Sequence, residues 1–242
     1  MNAIDIRSIT RRFGAKTAVD HLTLTVPEGE FFALLGVNGA GKSTLIKMLC
    51  GLSRPTEGDA LLLGKSITRE AAAAKALIGV SPQETAVAPG LTVRENLELM
   101  AGVYGLKDAG RRAGDIIADF RLGEVEKQPA RTLSGGWQRR LSIAMALVSA
   151  PRLLFLDEPT LGLDVIARRE LWAHIRRLKG EITIVLTTHY LEEAEALADR
   201  IGVMSHGHLT AVGTAAELIE KSGAASFEDA FIALAGEGVE EQ

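Results

Sequence analysis

The chain has 242 residues, 47% of them hydrophobic and 24% charged, with a formal net charge of −4. That is enough apolar material for a full core in one large domain or a domain with an inserted lobe, and the acidic balance offers no field to attract nucleic acid. The single cysteine, Cys50, excludes an intrachain disulfide and reads as a small core residue. No apolar run approaches the roughly 20 residues that span a bilayer; the longest candidate, Leu141 to Leu156, is broken by Pro151-Arg152, and Asp5 and Arg7 interrupt the opening segment where a signal peptide would be apolar. A soluble, cytoplasmic chain is expected, with any membrane role coming through a partner. The arginine pairs Arg111-Arg112, Arg139-Arg140, Arg168-Arg169 and Arg176-Arg177 are scattered among acids and read as solvated helix faces.

Taken in chain order, Ala3-Ile4-Asp5-Ile6 and Leu22-Thr23-Leu24-Thr25-Val26 alternate in β fashion and predict a small antiparallel layer turning around Phe13-Gly14. Phe31 to Leu35 is a short apolar run of the kind that forms a buried strand. The next eight residues, Gly36-Val37-Asn38-Gly39-Ala40-Gly41-Lys42-Ser43, fit the phosphate-loop pattern G-x-x-x-x-G-K-S/T. The spacing has a chemical reason. Glycines let backbone N–H groups converge on phosphate oxygens, Lys42 adds a mobile positive charge for the β/γ-phosphates, and the Ser43 hydroxyl can coordinate Mg²⁺. Apolar residues at Leu45, Met48, Leu49 and Leu52 predict a helix after the loop, so strand, glycine loop and helix N-terminus follow in the order a phosphate site requires.

A second short strand pair is expected around Ala60 to Gly64, and Ser81-Pro82-Gln83 is a non-helical break after Ile78-Gly79-Val80. Thr92-Val93-Arg94-Glu95 is a capping box, and helical patterning continues from it through Leu122. The stretch from about 86 to 150 reads as an inserted helical lobe. Within it Ser134 can cap a helix that begins at Gly135-Gly136, a second exposed helix N-terminus in a chain that already carries one anion site. Leu153 to Leu156 is an apolar strand ending in Asp157-Glu158; downstream of a phosphate loop, an aspartate there helps hold Mg²⁺ and the adjacent glutamate is placed to polarise a water. Ile182 to Leu186 is another doubly buried strand, followed by Thr187-Thr188-His189. Ile201 to Val212 predicts a hairpin about Ser205-His206-Gly207, Thr214 opens a helix, a second short helix follows Ser226, and the acidic tail from about 236 to 242 is expected to fray. No internal repeat is present.

Taken together, the phosphate loop, Leu133-Ser134-Gly135-Gly136-Trp137-Gln138, Asp157-Glu158 and His189, in that order, resemble the ATP-binding cassette (ABC) ATPases over essentially the whole chain. The resemblance implies an α/β fold: a phosphate-loop NTPase (RecA-like) core with an antiparallel β layer at about 1–85 and 151–235, and the helical subdomain inserted at about 86–150. It implies ATP and Mg²⁺ as cofactors. Phe13 falls where the family stacks an aromatic on adenine; Gly36 to Ser43 and Thr44 cradle the phosphates. Gln83 matches the glutamine that contacts Mg²⁺ or the attacking water, Ser43 and Asp157 the other metal partners, Glu158 the general base and His189 the switch histidine. Ser134, Gly135 and Gly136 match the signature that touches the γ-phosphate of a partner subunit's ATP, and Asp164 in Leu161-Gly162-Leu163-Asp164 the loop that communicates across the dimer. Two residues depart from the pattern. Trp137 stands at the signature's usual glutamine, a side chain on which the phosphate-holding amides do not depend, and Phe13 replaces a common tyrosine, keeping the stacking face.

The implied unit is a head-to-tail dimer, most simply a homodimer, with ATP sandwiched between phosphate loop and opposing signature. Thr187 to Ala194 and Phe227 to Phe231 look like the exporter branch that handles drugs, polysaccharides or lipids, which implies an integral-membrane permease as partner and membrane contact only through it. A non-transport cassette acting on ribosomes or DNA is the rival reading; it fits poorly with one unrepeated cassette, no heptads and an acidic charge. A phosphate-loop kinase or GTPase leaves Ser134-Gly135-Gly136 unexplained, and no Asn-Lys-x-Asp guanine reader is present.

Overall fold

The computed structural model describes residues 1–236, which form two compact units: residues 1–78 with the chain from 179 onward, and residues 79–178. The acidic tail expected to fray lies outside the described residues beyond Gly236.

The first unit opens with the expected antiparallel layer. Strands β1 (Asn2–Phe13) and β2 (Lys16–Pro27) pair antiparallel, and their two-residue turn starts on Gly14 in the left-handed region at φ 58°, as tight hairpins require. Strand β3 (Phe31–Leu35) is buried along its whole length and leads through the glycine loop into helix α1 (Lys42–Leu49). The apolar periodicity overestimates this helix. Leu52 was expected on its inner face, but Gly51 takes φ 67°, ends the helix, and leaves Leu52 71% exposed. Cys50 is buried as expected. Strands β4 (Glu57–Leu62) and β5 (Lys65–Ser66) complete a four-stranded layer in the order β2-β1-β4-β5, and helix α2 (Ala71–Lys75) follows.

The second unit begins around strand β6 (Ile78–Ser81). Thr92 caps helix α3 (Val93–Val103) in a full capping box: its hydroxyl accepts from Glu95 N–H, and the Glu95 carboxylate accepts from Thr92 N–H at 2.8 Å. The helical pattern predicted to run on to Leu122 is two helices. Gly105, at φ 67°, stops the first, and Asp108 caps helix α4 (Ala109–Asp119) by accepting from Arg111 N–H. Helix α5 (Gly135–Ala146), strand β7 (Leu153–Asp157) and helix α6 (Val165–Arg176) follow, with β7 beside β6. The arginine pairs are not all solvated. Arg139 and Arg140 are buried, and Arg112 donates to the carbonyls of Leu147 and Val148 at 2.8 Å each, closing the C-terminal end of α5.

The chain then returns to the first unit with strand β8 (Thr183–Thr188) and helix α7 (Leu191–Leu197), followed by strands β9 (Arg200–Ser205) and β10 (His208–Gly213). Strand β3 lies parallel to both β8 and β9, so its two faces must be covered and its sequence is uniformly apolar. The β9–β10 hairpin turns through His206 and Gly207, both at positive φ (48° and 87°), the combination a two-residue hairpin favours. Helices α8 (Ala215–Ser222) and α9 (Phe227–Gly236) pack Leu218, Phe227 and Leu234 with Ala33, Leu35, Ile201 and Val203 in one core. Among the described residues no helix is long and apolar enough to cross a membrane.

One buried histidine in the second unit makes stability depend on pH. His174 is 7% exposed and stacks on Phe120 at 5.8 Å. Burial, then the charges of Arg140, Arg177 and Arg121, push its pKa down to about 4 from 6.5. In the unfolded chain the imidazole protonates near 6.5, so acid favours unfolding; the contribution is whole above that pH and is lost as pH falls toward 4. Thermal melts between pH 7 and pH 4 are therefore expected to fall more steeply for the wild-type chain than for His174→Gln, and parallel curves would refute the assignment.

Candidate functional site

In the first unit the phosphate loop is shaped by backbone clearance. A Cβ on Gly36 would lie 2.4 Å from the Met204 carbonyl oxygen, and one on Gly41, at φ 105°, would lie 2.3 Å from the Ala18 carbonyl oxygen. Only glycine fits at either point, because the loop is wedged between the end of β9 and the start of β2. Gly207, at the hairpin tip, donates to the Ala40 carbonyl at 3.0 Å and props the loop from the same side. Lys42 is buried, and its ammonium folds back onto the carbonyls of Gly36 (2.7 Å) and Val37 (3.2 Å). Val37, Asn38 and Gly39 are exposed; a Cβ on Gly39, at φ 85°, would meet nothing. The first-turn N–H groups of α1, on Lys42, Ser43 and Thr44, have no acceptor within their helix. An open crest of backbone, a helix N-terminus and a lysine at the loop mouth suit a polyphosphate.

Two further residues of the first unit belong here. The Thr188 carbonyl accepts from Gly36 N–H at 3.3 Å, and Leu35 pairs with Thr188 in register, so His189 leaves its strand beside the start of the loop. Its ring lies 4.1 Å from that of Tyr190. Phe13, at the β1–β2 turn, is 51% exposed, and the Arg11 guanidinium sits 4.4 Å from its ring centroid. A surface aromatic at a rigid turn is a fit platform for stacking a planar group.

In the second unit the backbones at Gln83, Asp157 and Glu158 are organised by a residue whose charge predicted a solvated position. The Arg139 guanidinium, 4% exposed, donates to five backbone carbonyls: Pro82 (2.5 Å), Gln83 (3.2 Å), Asp157 (2.8 Å), Glu158 (2.7 Å) and Pro159 (2.7 Å). It thereby ties the segment carrying Gln83 to the one carrying both carboxylates, and both to the signature helix. Asp157 and Glu158 are buried; Glu158 has φ 49°, a backbone state that costs a non-glycine residue about 1 kcal/mol or more. Its carbonyl, so placed, accepts from both Arg139 and Leu161 N–H (3.2 Å). A signal for Arg139 was present: it lies four and seven residues before Ile143 and Ala146 on the buried face of α5.

Ser134 stands at the N-cap of α5 as expected, but its hydroxyl makes no capping bond. The helix start is anchored instead by Gln138, whose side-chain amide donates to the carbonyls of Ala130 (3.0 Å) and Leu133 (3.2 Å). Gly136 is needed for packing, since a Cβ there would come within 3.1 Å of Ala167 Cβ. Asp164 caps α6, accepting from the N–H groups of Ile166 and Ala167 at 2.9 Å each.

The fold and these sites define a phosphate-loop nucleotide-binding protein of mixed α/β architecture. The sequence matches the ABC transporter family over residues 19–161. It is 44% identical over 219 residues to the daunorubicin/doxorubicin resistance ATP-binding protein DrrA of Streptomyces peucetius, covering 89% of this chain and 66% of that one, so it spans just under two thirds of that relative. It is 39% identical over 241 residues to the linearmycin resistance ATP-binding protein LnrL of Bacillus subtilis, covering 98% and 76%. Among solved structures, an ATP-binding subunit of an ABC transporter superposes with a TM-score of 0.85 at 30% identity, covering 96% of this chain and 99% of that one. The ATP-binding cassette MJ0796, bound to ADP and phosphate in a dimeric, post-hydrolysis state, does so with a TM-score of 0.78 at 26% identity, covering 87% and 98%. The chain belongs to the ABC transporter family.

The Arg139 hub gives a direct test. Lysine keeps the charge but has three donors in place of five, so Arg139→Lys leaves at least two of these carbonyls unserved. We expect kcat for ATP hydrolysis to fall roughly 10–100-fold through misplacement of the two segments, with the KM for ATP little changed. A lower melting temperature with unaltered kcat would reduce Arg139 to a stability role.

Proposed function

We propose that this chain is the ATP-binding and ATP-hydrolysing subunit of an exporter, working on the cytoplasmic face of the membrane through a separate integral-membrane permease. One observation carries the reading: identities of 39–44% over at least 89% of the chain to ATP-binding proteins of antibiotic resistance. The absence of a spanning helix among the described residues agrees with a separate permease. The working unit is a dimer of cassettes, for which a homodimer is the simplest form; a solved cassette of the same fold is dimeric.

In this reading the loop amides from Gly36 to Thr44 and the Lys42 ammonium bind the phosphates, and Phe13 stacks on the adenine. Ser43, Gln83 and Asp157 supply a hydroxyl, an amide and a carboxylate oxygen, an all-oxygen set of the kind Mg²⁺ prefers. The ion, when bound, neutralises phosphate charge. Glu158 accepts the proton of the attacking water, and His189 orients the γ-phosphate end of the site. Ser134, Gly135 and Gly136 present the N-terminus of α5 to the nucleotide of a second subunit, with Asp164 in the loop that follows the carboxylate strand. Binding favours the closed dimer, and phosphate loss reopens it, because the ligand can shift the equilibrium only by its differential affinity for the two states.

Two measurements test this. Glu158→Gln is expected to bind ATP and dimerise while hydrolysing about 10²–10⁴-fold more slowly; normal turnover would remove Glu158 from the base role. Mild-detergent affinity purification of the tagged chain from native membranes is expected to recover a polytopic membrane protein. Ribosomes or DNA-repair proteins in its place would overturn the transport reading and leave the ATPase standing.

A further inference from the structure

A cavity of about 680 Å³ in the second unit shares only Trp137 with the motifs used above. It opens between the turn after α4, the first turn of α5 and the last turns of α6, and its walls carry three guanidinium groups, those of Arg121, Arg140 and Arg177. Against them stand two carboxylates, Glu124 and Glu170. The pairing is incomplete. Arg140 is held by Glu170 at 2.8 Å, Arg177 donates to His174 Nδ1 and to the Asp119 carbonyl at 3.3 Å, and the Arg121 side chain makes neither a hydrogen bond nor an ion pair among the described residues. Arg121 is also held at φ 51°, a conformation that arginine rarely takes.

The remaining wall is aromatic. The Trp137 ring lines the cavity with the Arg140 guanidinium 4.3 Å from its centroid. His174 completes the set: with Nδ1 accepting from Arg177, its proton sits on Nε2, which has no partner among the described residues. Guanidinium forks recognise carboxylate and phosphate in a planar, often bidentate manner. An excess of one positive charge, three guanidinium groups less two carboxylates, suits one acidic group and disfavours a polyanion. A cavity of this size, with an indole wall, has room for a drug-sized ring system. We infer that this cavity binds an aromatic organic acid, its acidic group held by Arg121 with Arg177 and its ring against Trp137. The site is independent of the transport reading.

The probe is 1-naphthyl phosphate, titrated by calorimetry into the full chain saturated with ADP, so that the phosphate loop is filled. Saturable one-to-one binding is expected, in the millimolar range or tighter, with at least a tenfold loss in Arg121→Ala and in Trp137→Ala. Neutral 1-naphthol and inorganic phosphate are each expected to bind at least tenfold more weakly than the probe. Arg121 is exposed, so Arg121→Ala is expected to keep the wild-type melting temperature and basal ATPase rate. In the nitrogen-detected NMR titration of His174, a bound anion is expected to raise the imidazole pKa. Absence of saturable binding, equal binding by both variants, displacement of ADP by the probe, or inorganic phosphate binding as tightly as the probe would each overturn the assignment.

Discussion

A single guanidinium inside the second unit sets the geometry on which its functional segments depend. Burying the Arg139 charge costs several kcal/mol before any partner is counted. The structure offsets that cost with hydrogen bonds to five backbone carbonyls. Because these acceptors are backbone groups, the clamp fixes where the Gln83, Asp157 and Glu158 segments run. The same contact supports Glu158 at its unfavourable φ, since the carbonyl that receives Arg139 is the one this backbone turn presents.

The first unit solves its positioning problem by sterics. The phosphate loop leaves β3 between two other backbones, and at Gly36 and Gly41 the clearance is less than any side chain requires. The β9–β10 turn, which needs two successive positive φ angles, adds a hydrogen bond to Ala40 from outside the loop. Remote pieces of the chain thus fix the loop's shape before any ligand arrives. Such preorganisation lets backbone amides meet charge without reorganising.

Much of this was legible in the sequence because it is local. A strand, a glycine loop and a helix succeed one another within twenty residues, and the capping box at Thr92 and the turn at His206-Gly207 are written in adjacent side chains. The failures have physical causes too. Gly51 and Gly105 each end a helix whose apolar periodicity runs on past them, so pattern alone placed Leu52 inside and merged α3 with α4. Charge led the reading of Arg139 and Arg140 toward solvent, although helical phase puts Arg139 on the buried face. What Arg139 bonds is backbone from two distant segments, and backbone partners leave no residue-type signal. The polar cavity beside Trp137 was illegible for the same reason: its walls come from three elements with no sequence pattern in common.

Trp137 shows how a signature can change a side chain and keep its architecture. The hydrogen bonds that anchor the start of α5 come from Gln138, one residue on, which reaches back to Ala130 and Leu133. Of the glycines ahead of it, Gly136 is fixed by packing against Ala167, whose own N–H is capped by Asp164. Position 137 therefore carries no backbone duty at the helix start, and its side chain can turn toward Arg140. Indole and guanidinium stack with modest gain where partly exposed, about 0.5–1 kcal/mol. That is too little to dictate the fold and enough to hold the ring in the wall of the cavity. The substitution thus exchanges a polar side chain for an aromatic surface at no cost to the amides beneath it, which is the condition for a new binding property to arise beside an old one.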